Sequence, residues 1–496
     1  MEARVYFQIT LVLSAPHTFQ YNIPIMKVYK LALFTALAAA IQIPISLNVF
    51  RDPERPHFST LEESLWPIDL NPYINQVVVR ISSSGDVIKY LRSHGLNIWA
   101  KNPSERTVDV QGHESDIKNM LAHFEISDAN YIIHDLAQTV LESYPEKLKQ
   151  GSFQTFAESS FGEVTAAAED SIHAAAEVFF KLYRPLLSID AWLKLLEETY
   201  PDVVTTEVIG KTYEERDFKV LHVLIPDSDI PHDEKRTIVI TGGVHAREWI
   251  SVSSTLYTIY EMLNVYENSP ERWKELAKLD FLFIPVLNPD GYEYSWNSDR
   301  LWRKNRQQVE GGDGARCMGI DIDHSFDYHW TQSSDGVCGE EYSGQAPFEA
   351  YELKIWDEYL NSTNVNHNIW GYIDLHSYSQ EILYPYAYSC NETPRDEENL
   401  IELAYGITKA IRLTSGKSYS VLPACVDRDL DLIPDLGSGS ALDFMYHHRA
   451  YWAYQVKLRD SGAHGFLLPD KYIQPVGEEI AAGIRFFSRF ILSEDR

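Results

Sequence analysis

Gly242-Gly243-Val244-His245-Ala246-Arg247-Glu248-Trp249 follows the apolar run Thr237 to Thr241 and precedes a segment with helical spacing. This places a His and a Glu, three residues apart, at the end of a buried strand, where both can turn toward one point. Zinc accepts imidazole nitrogen and carboxylate oxygen as ligands, so the stretch reads as part of a metal site. Two ligands do not complete one, and His-x-x-Glu by itself fits a solvated helix start as well.

The 496 residues are enough for two or three domains, and 45% hydrophobic content is ordinary for a globular protein. The formal charge of -29, from 43 basic and 72 acidic residues, argues against nucleic acid or an anionic membrane as partner, because phosphate binding needs clustered Lys and Arg. Met26 to Lys30 followed by Leu31 to Gln42 has the charged start, short apolar centre and small-residue end of a secretory signal. Met26 is then the initiator and residues 1–25 an upstream extension; the alternative is a signal anchor beginning at Met1. Residues 1–45 are assigned to this leader, with no membrane span after its removal. Cys317, Cys338, Cys390 and Cys425 make an even count that fits disulfides in an exported chain. Close spacing favours 317 with 338 and 390 with 425, although three connectivities are open and buried thiols are the other reading. Asn361 and Asn391 begin glycosylation acceptors. The predicted destination is the extracellular space, the wall or the vacuole.

Residues 70–138 read strand, helix, strand, strand, helix, strand, the ferredoxin-like α+β order. Residues 139–183 are rich in Ala, Glu, Ser and Gln, have apolar periodicity only over Ala166 to Phe180, and read as a linker with some helix. From 184 to 496 helices alternate with buried strands. That alternation predicts a mixed, mostly parallel sheet with helices on both faces, an α/β fold.

In such sheets the chemistry gathers beyond the carboxyl ends of the strands, and His376 ends the strand-like run Trp370 to Leu375. With His245 and Glu248 it makes a two-His, one-Glu set that leaves zinc's fourth position to water. With these residues in view the chain resembles the zinc metallocarboxypeptidases of the pancreatic type over about Tyr183 to Arg496. The resemblance rests on 242–249, Val286 to Tyr294, Arg300 to Lys304, Leu375 to Gln380, and Leu458 to Pro469. It implies one zinc per chain on His245, Glu248 and His376, a Cys317–Cys338 bridge, and a propeptide at 70–138 that covers the cleft in the manner of a zymogen.

The same resemblance exposes departures. The family's general base, a Glu before Leu-Arg-Asp, is here Lys457. A protonated amine cannot take a proton from water, and beside a dication it becomes neutral only after a large pKa drop. The Asn-Arg pair that anchors a substrate's terminal carboxylate falls on Asp323 and His324; a neutral His lacks the bidentate fork and Asp323 repels the anion. The Tyr that closes over substrate falls, by ungapped count, on Asp435. Arg303 matches the carbonyl-polarising Arg, and Arg247, Ser377 and Tyr378 match substrate contacts. Leu442 sits at the specificity position, implying an apolar pocket.

Loss of a general base costs roughly a hundred- to ten-thousand-fold in rate. The reading is therefore a zinc-binding homologue without catalytic residues, similar to the inactive fungal branch of the family associated with cell-wall organisation. Its expected partners are a peptide or wall-protein ligand and its own propeptide. The competing expectation is an active carboxypeptidase in which Asp323 or Asp435 serves as base. Lys147, Lys149, Lys181 and Arg184 are the basic candidates for cleavage of the linker.

Overall fold

The computed structural model describes residues 7–11, 19–23, 68–103, 105–149, 151–224, 230–231, 234–269, 274, 276–312, 314, 317–363, 368–427 and 437–493. The segment from Met26 to Gln42 and Asp435 lie outside them. The chain forms two compact units, Met1–Glu63 and Ser64–Arg496. In the first, β1 (Phe7–Leu11) pairs antiparallel with β2 (Phe19–Ile23). No helix among the described residues is long and apolar enough to cross a membrane.

The second unit opens with β3 (Gln76–Ser82), α1 (Gly85–Ser93), β4 (Asn97–Asn102), β5 (Thr107–His113), α2 (Glu114–His123) and β6 (Asn130–Ile133). The strands form an antiparallel sheet in the order β4-β5-β3-β6, the ferredoxin-like arrangement expected. Ser84 starts α1 by accepting the Val87 N–H on its side chain. Alternation along β3 serves two cores. Val77, Val79 and Ile81 join Val87, Leu91, Ile117 and Met120 in one cluster, while Val78 faces the other way into the main core.

Residues 139–183 are more helical than their weak periodicity implies. They hold most of α3 (Leu136–Ser143), then α4 (Glu146–Lys149), α5 (Phe153–Ala168) and α6 (Ile172–Phe179). Phe156, Val164, Ala175 and Phe179 pack into the main core, and the expected single run from Ala166 to Phe180 breaks where Ser171 caps a new helix. Stretches of Ala, Ser, Thr and Glu separate these few large apolar contacts, which is why hydrophobic periodicity understated the packing. Among the basic residues here, Lys147 and Lys181 are exposed and Lys149 half-buried. Arg184 is buried, donating to Phe179 O and Ser160 Oγ at 2.8 Å each.

The large sheet follows: α7 (Leu186–Thr199), β7 (Val204–Lys211), β8 (Asp217–Leu224), β9 (Arg236–Thr241), α8 (Trp249–Asn268), β10 (Leu279–Ile284), α9 (Pro289–Asn297), α10 (Tyr351–Thr363), β11 (Asn368–Ser377), β12 (Glu381–Tyr384), α11 (Glu397–Ser415), β13 (Ser420–Pro423), α12 (Ala424–Asp427), α13 (Ala441–His448), β14 (Trp452–Leu458) and α14 (Ile473–Ser493). Its order is β13-β12-β14-β11-β9-β10-β8-β7, parallel through β14, β11, β9 and β10 and antiparallel toward both sides. From β9 the chain crosses to β10 on one side, and later fills β11 on the other. The switch point therefore lies between β9 and β11, where open α/β sheets place their ligands.

Within the second unit the small sheet is tied to the large one through Asp109 of β5. Its buried carboxylate accepts Arg80 Nε and Nη2 at 2.7 and 2.8 Å and the Tyr378 hydroxyl at 2.7 Å. Arg80 Nη2 also donates to Ser461 O at 2.9 Å. Asp109→Ala leaves these donors without their shared acceptor, and urea unfolding is expected to show a loss of about 2 kcal/mol. Stability equal to the parent's would mean that the contact does not hold the small sheet in place.

Candidate metal centre

The turn from β9 into α8 is built for close approach. A Cβ on Gly242 would lie 2.4 Å from Thr255 Oγ1 and 2.9 Å from Ser251 O of α8, and Gly243 has φ +64°. Only glycine fits both demands at once. The helix itself is buried nearly all round, and Ser253, Thr255 and Thr258 satisfy their hydroxyls by donating to Trp249 O, Ser251 O and Ser254 O. Pressing the turn against this helix places Glu248 at its N-cap and His245 just before it.

His376 arrives from the end of β11, the neighbour of β9. His245 Nδ1 lies 2.9 Å from Glu248 Oε1, and His376 Nδ1 lies 3.2 Å from both Glu248 Oε2 and His245 Nδ1. All three residues are 4% exposed or less. Zinc bonds of about 2.0–2.2 Å in tetrahedral geometry separate ligand atoms by about 3.3 Å, close to the spacing found. The far nitrogens are also engaged: His245 Nε2 faces Asp321 Oδ1 at 3.2 Å, and His376 Nε2 faces Asp374 Oδ2 at 3.0 Å. Each ring thus presents its Nδ1 lone pair to the centre while a carboxylate fixes its other nitrogen. The donor set fits zinc.

Charge points the same way. Burial alone would raise the Glu248 carboxyl, but His245 and His376 outweigh it and hold it well below its usual range. Burial would lower the His376 imidazolium, but Asp374 and Glu248 raise it to about 10. This pocket therefore calls for positive charge, from protons or from a metal ion.

The sequence matches the zinc carboxypeptidase family over residues 189–483. The chain belongs to that family. It is 49% identical over 373 residues to the protein named "Inactive metallocarboxypeptidase ECM14" of Saccharomyces cerevisiae, covering 75% of this chain and 82% of that one. It is 37% identical to the protein of the same name in Sclerotinia sclerotiorum, covering 80% and 69%. Among solved structures, thrombin activatable fibrinolysis inhibitor superposes with a TM-score of 0.68 at 26% identity, covering 85% of this chain and 100% of that one. Carboxypeptidase A from Helicoverpa armigera shares the fold, with a TM-score of 0.67 at 24% identity over 85% and 99%.

This zinc carboxypeptidase homologue is inactive, as its relatives are named, and its departures are visible around the donor set. Lys457 of β14 pairs in register with His376 on one side and Glu381 of β12 on the other. Its ammonium lies 3.9 Å from the buried Glu381 carboxylate. Asp323 lines the cleft, with its oxygens accepting the Ala441 N–H and Gln455 Nε2, both at 3.1 Å. His324 is buried 3.7 Å from Asp321 and is not among the residues lining the cleft; Leu442 is buried in α13 and does not line it either. No Asn-Arg fork is present at these positions.

The remaining contact positions are occupied from within the chain. Arg303 donates Nε and Nη2 to Asp321 Oδ2 at 3.0 and 2.7 Å, and burial of Asp321 is outweighed by Arg303, His245 and His324, which keep it well below the usual carboxylate range. Arg247 donates to both Glu340 oxygens at 3.0 and 2.9 Å and lies over the Phe466 ring. The Ser377 N–H donates to Glu248 Oε2 at 3.0 Å, and Tyr378 turns its hydroxyl to Asp109. Residues 95–101 form the opposite wall of a cleft of about 430 Å³. Both expected disulfides are formed, Cys317–Cys338 and Cys390–Cys425. Asn361 and Asn391 are exposed.

Sequence reasoning missed Asp321, Asp374, Glu340 and Glu381. Asp374 had a signal, since two residues before His376 on a strand is the same face. Glu381 had another, a carboxylate at the start of the apolar run Ile382 to Tyr384.

A pH profile tests this electrostatic balance in chelated protein. His376, raised in the fold, adds stability that is complete below its unfolded value of about 6.5 and is lost as pH climbs toward about 10. Glu248, depressed in the fold, adds stability present above about 4.3 and lost in acid. The melting temperature should fall between pH 6.5 and 10, and less so in Asp374→Asn. A level profile across that window would contradict the assignment.

Proposed function

We propose that this chain is a secreted zinc protein that binds through a carboxypeptidase cleft without turning over peptides, and that it serves fungal cell-wall organisation. One zinc per chain is held by His245, Glu248 and His376. Residues 70–138 act as a propeptide-like cover, and the cleft receives a peptide or wall-protein segment. The observation that carries this reading is the contrast inside one site. The three donors converge with a carboxylate behind each histidine, whereas the base position is Lys457 paired to Glu381 and the clamp positions are Asp323 and His324. When bound, zinc in this family supplies a Lewis acid to a substrate carbonyl. Here Arg303 is tied to Asp321 and no described carboxylate stands at the base position to take a water proton.

Export is supported by the signal-like segment after Met26, by two disulfides, and by exposed Asn361 and Asn391 in glycosylation motifs. The named relatives at 37–49% identity are fungal, which supports the same setting.

Metal analysis of purified protein should give close to one zinc per chain, falling at least tenfold in His245→Ala. A panel of C-terminal peptides, assayed with residues 70–183 removed by proteolysis, should show no release of a terminal residue. Chelator-sensitive turnover by the parent chain would overturn the proposal. The triple variant Lys457→Glu, Asp323→Asn, His324→Arg returns the family's residues to the three matched positions, and is expected to gain measurable turnover.

A further inference from the structure

On the reading of this cleft as peptide-binding, we infer that the segment it receives is extended and carries a lysine or arginine side chain, and that Trp99-Ala100-Lys101 of the small sheet fills that place in the full-length chain.

β4 is the edge strand of the small sheet, and residues 95–101 line the cleft. Side chains two apart on a strand share a face, and Trp99 and Lys101 are buried at 6 and 7% exposure while Ile98, Ala100 and Asn102 are half-buried. One extended backbone therefore lays an aromatic and a lysine along the cleft. Trp99 packs 5.1 Å from the Phe466 ring and donates Nε1 to Gln111 Oε1 at 2.8 Å. A lysine buried to this degree needs negative charge close by.

The body of the cleft supplies that charge. Apart from the metal donors, it contributes four acids to the lining, Asp323, Asp335, Glu340 and Glu341, and three bases. Each base has a carboxylate within the body itself: Arg247 meets Glu340 at 2.9 Å, Arg303 meets Asp321 at 2.7 Å and Lys457 meets Glu381 at 3.9 Å. Glu341 is met from across the cleft. Arg92 of α1 donates to it at 2.7 Å and to Ser334 Oγ at 2.9 Å. Burial would raise the Glu341 carboxyl, but Lys101, ahead of His324, Arg92 and Arg303, holds it below its usual value. The small sheet thus brings two cations to one acid of the cleft.

Asp335 makes that acid harder to leave unmatched. Its Oδ2 accepts the Glu341 N–H at 3.0 Å, and its carboxyl is raised by burial and then by the Glu341 charge. A segment that replaces β4 without a cation leaves these two acids side by side. A lysine or arginine side chain restores the balance through charge-assisted contacts, whereas a carboxylate adds repulsion and an apolar side chain gains nothing from Glu341. Strand geometry sets the neighbouring position: an aromatic side chain two residues before the cation reaches Phe466 from the same face.

Replacing Lys101 by Ala in the full-length protein removes the ammonium and most of its stem, and propylammonium matches the missing piece. It should raise the melting temperature of Lys101→Ala saturably, act about tenfold more tightly than n-propanol, and leave the parent unchanged. The rise should vanish in the double variant Lys101→Ala, Glu341→Gln. A fluorescein-labelled Trp-Ala-Lys-amide peptide should bind Lys101→Ala about tenfold more tightly than its norleucine counterpart in anisotropy titrations. Equal effects of amine and alcohol, rescue that survives Glu341→Gln, or a lysine peptide that binds no better than the norleucine one would overturn the inference. If Lys101→Ala does not fold, Lys101→Met keeps the volume, and its loss of stability in urea should shrink when Glu341 is already Gln; strictly additive losses would overturn the inference as well. Metal content and turnover are measured on the same samples. An empty metal site or release of a terminal residue would overturn the function proposed above, while the titrations still decide the charge of the ligand.

Discussion

Three lone-pair-bearing atoms buried within about 3 Å of one another repel unless positive charge lies among them. His245, Glu248 and His376 impose that condition, and much of the surrounding architecture answers it. The glycine pair brings the β9 turn down onto α8 so that two donors come from one turn, and β11, the parallel neighbour, brings the third. Behind the rings stand Asp321 and Asp374, each itself bound: Asp321 by Arg303, Asp374 by the Thr241 hydroxyl at 2.6 Å. Carboxylates so placed orient the imidazoles and raise their basicity, which favours tight metal binding.

This centre does not depend on the groups that would make it a peptidase. The donors belong to β9, α8 and β11, whereas the base position belongs to β14 and the clamp to the irregular segment near residue 323. A change on β14 alters charge in the cleft without moving a donor. Lys457 shows how such a change is accommodated, because Glu381 on the adjacent strand places a carboxylate in the same row.

The strand and helix pattern, the ferredoxin-like order of the small sheet and the three donors were legible because each rests on short-range sequence signals or on matched motifs. Register was not. That His376, Lys457 and Glu381 share a row, or that Thr241, Asp374 and Gln455 share the next, follows from which strands become neighbours, and β14, the last strand in sequence, inserts between β11 and β12. The helices of residues 139–183 were understated because their large apolar contacts, such as Leu148, Phe156, Val164 and Phe179, are widely spaced among alanines, serines and glutamates, which weakens the periodic signal. His324 and Leu442 were assigned to the cleft by matched position, but they are not among the residues that line it.

The small sheet shows how a cleft can keep its shape after losing its reaction. Trp99 of β4 lies 5.1 Å from the Phe466 ring, and a Cβ on Gly465 would meet Trp99 at 2.8 Å, so the wall fits against a glycine that leaves room for it. Arg92 reaches Glu341, next to the Glu340 that holds Arg247. Asp109 holds Tyr378, two residues beyond the donor His376. Positions matching the family's substrate contacts are thus engaged by the chain itself while the metal donors remain in the cleft.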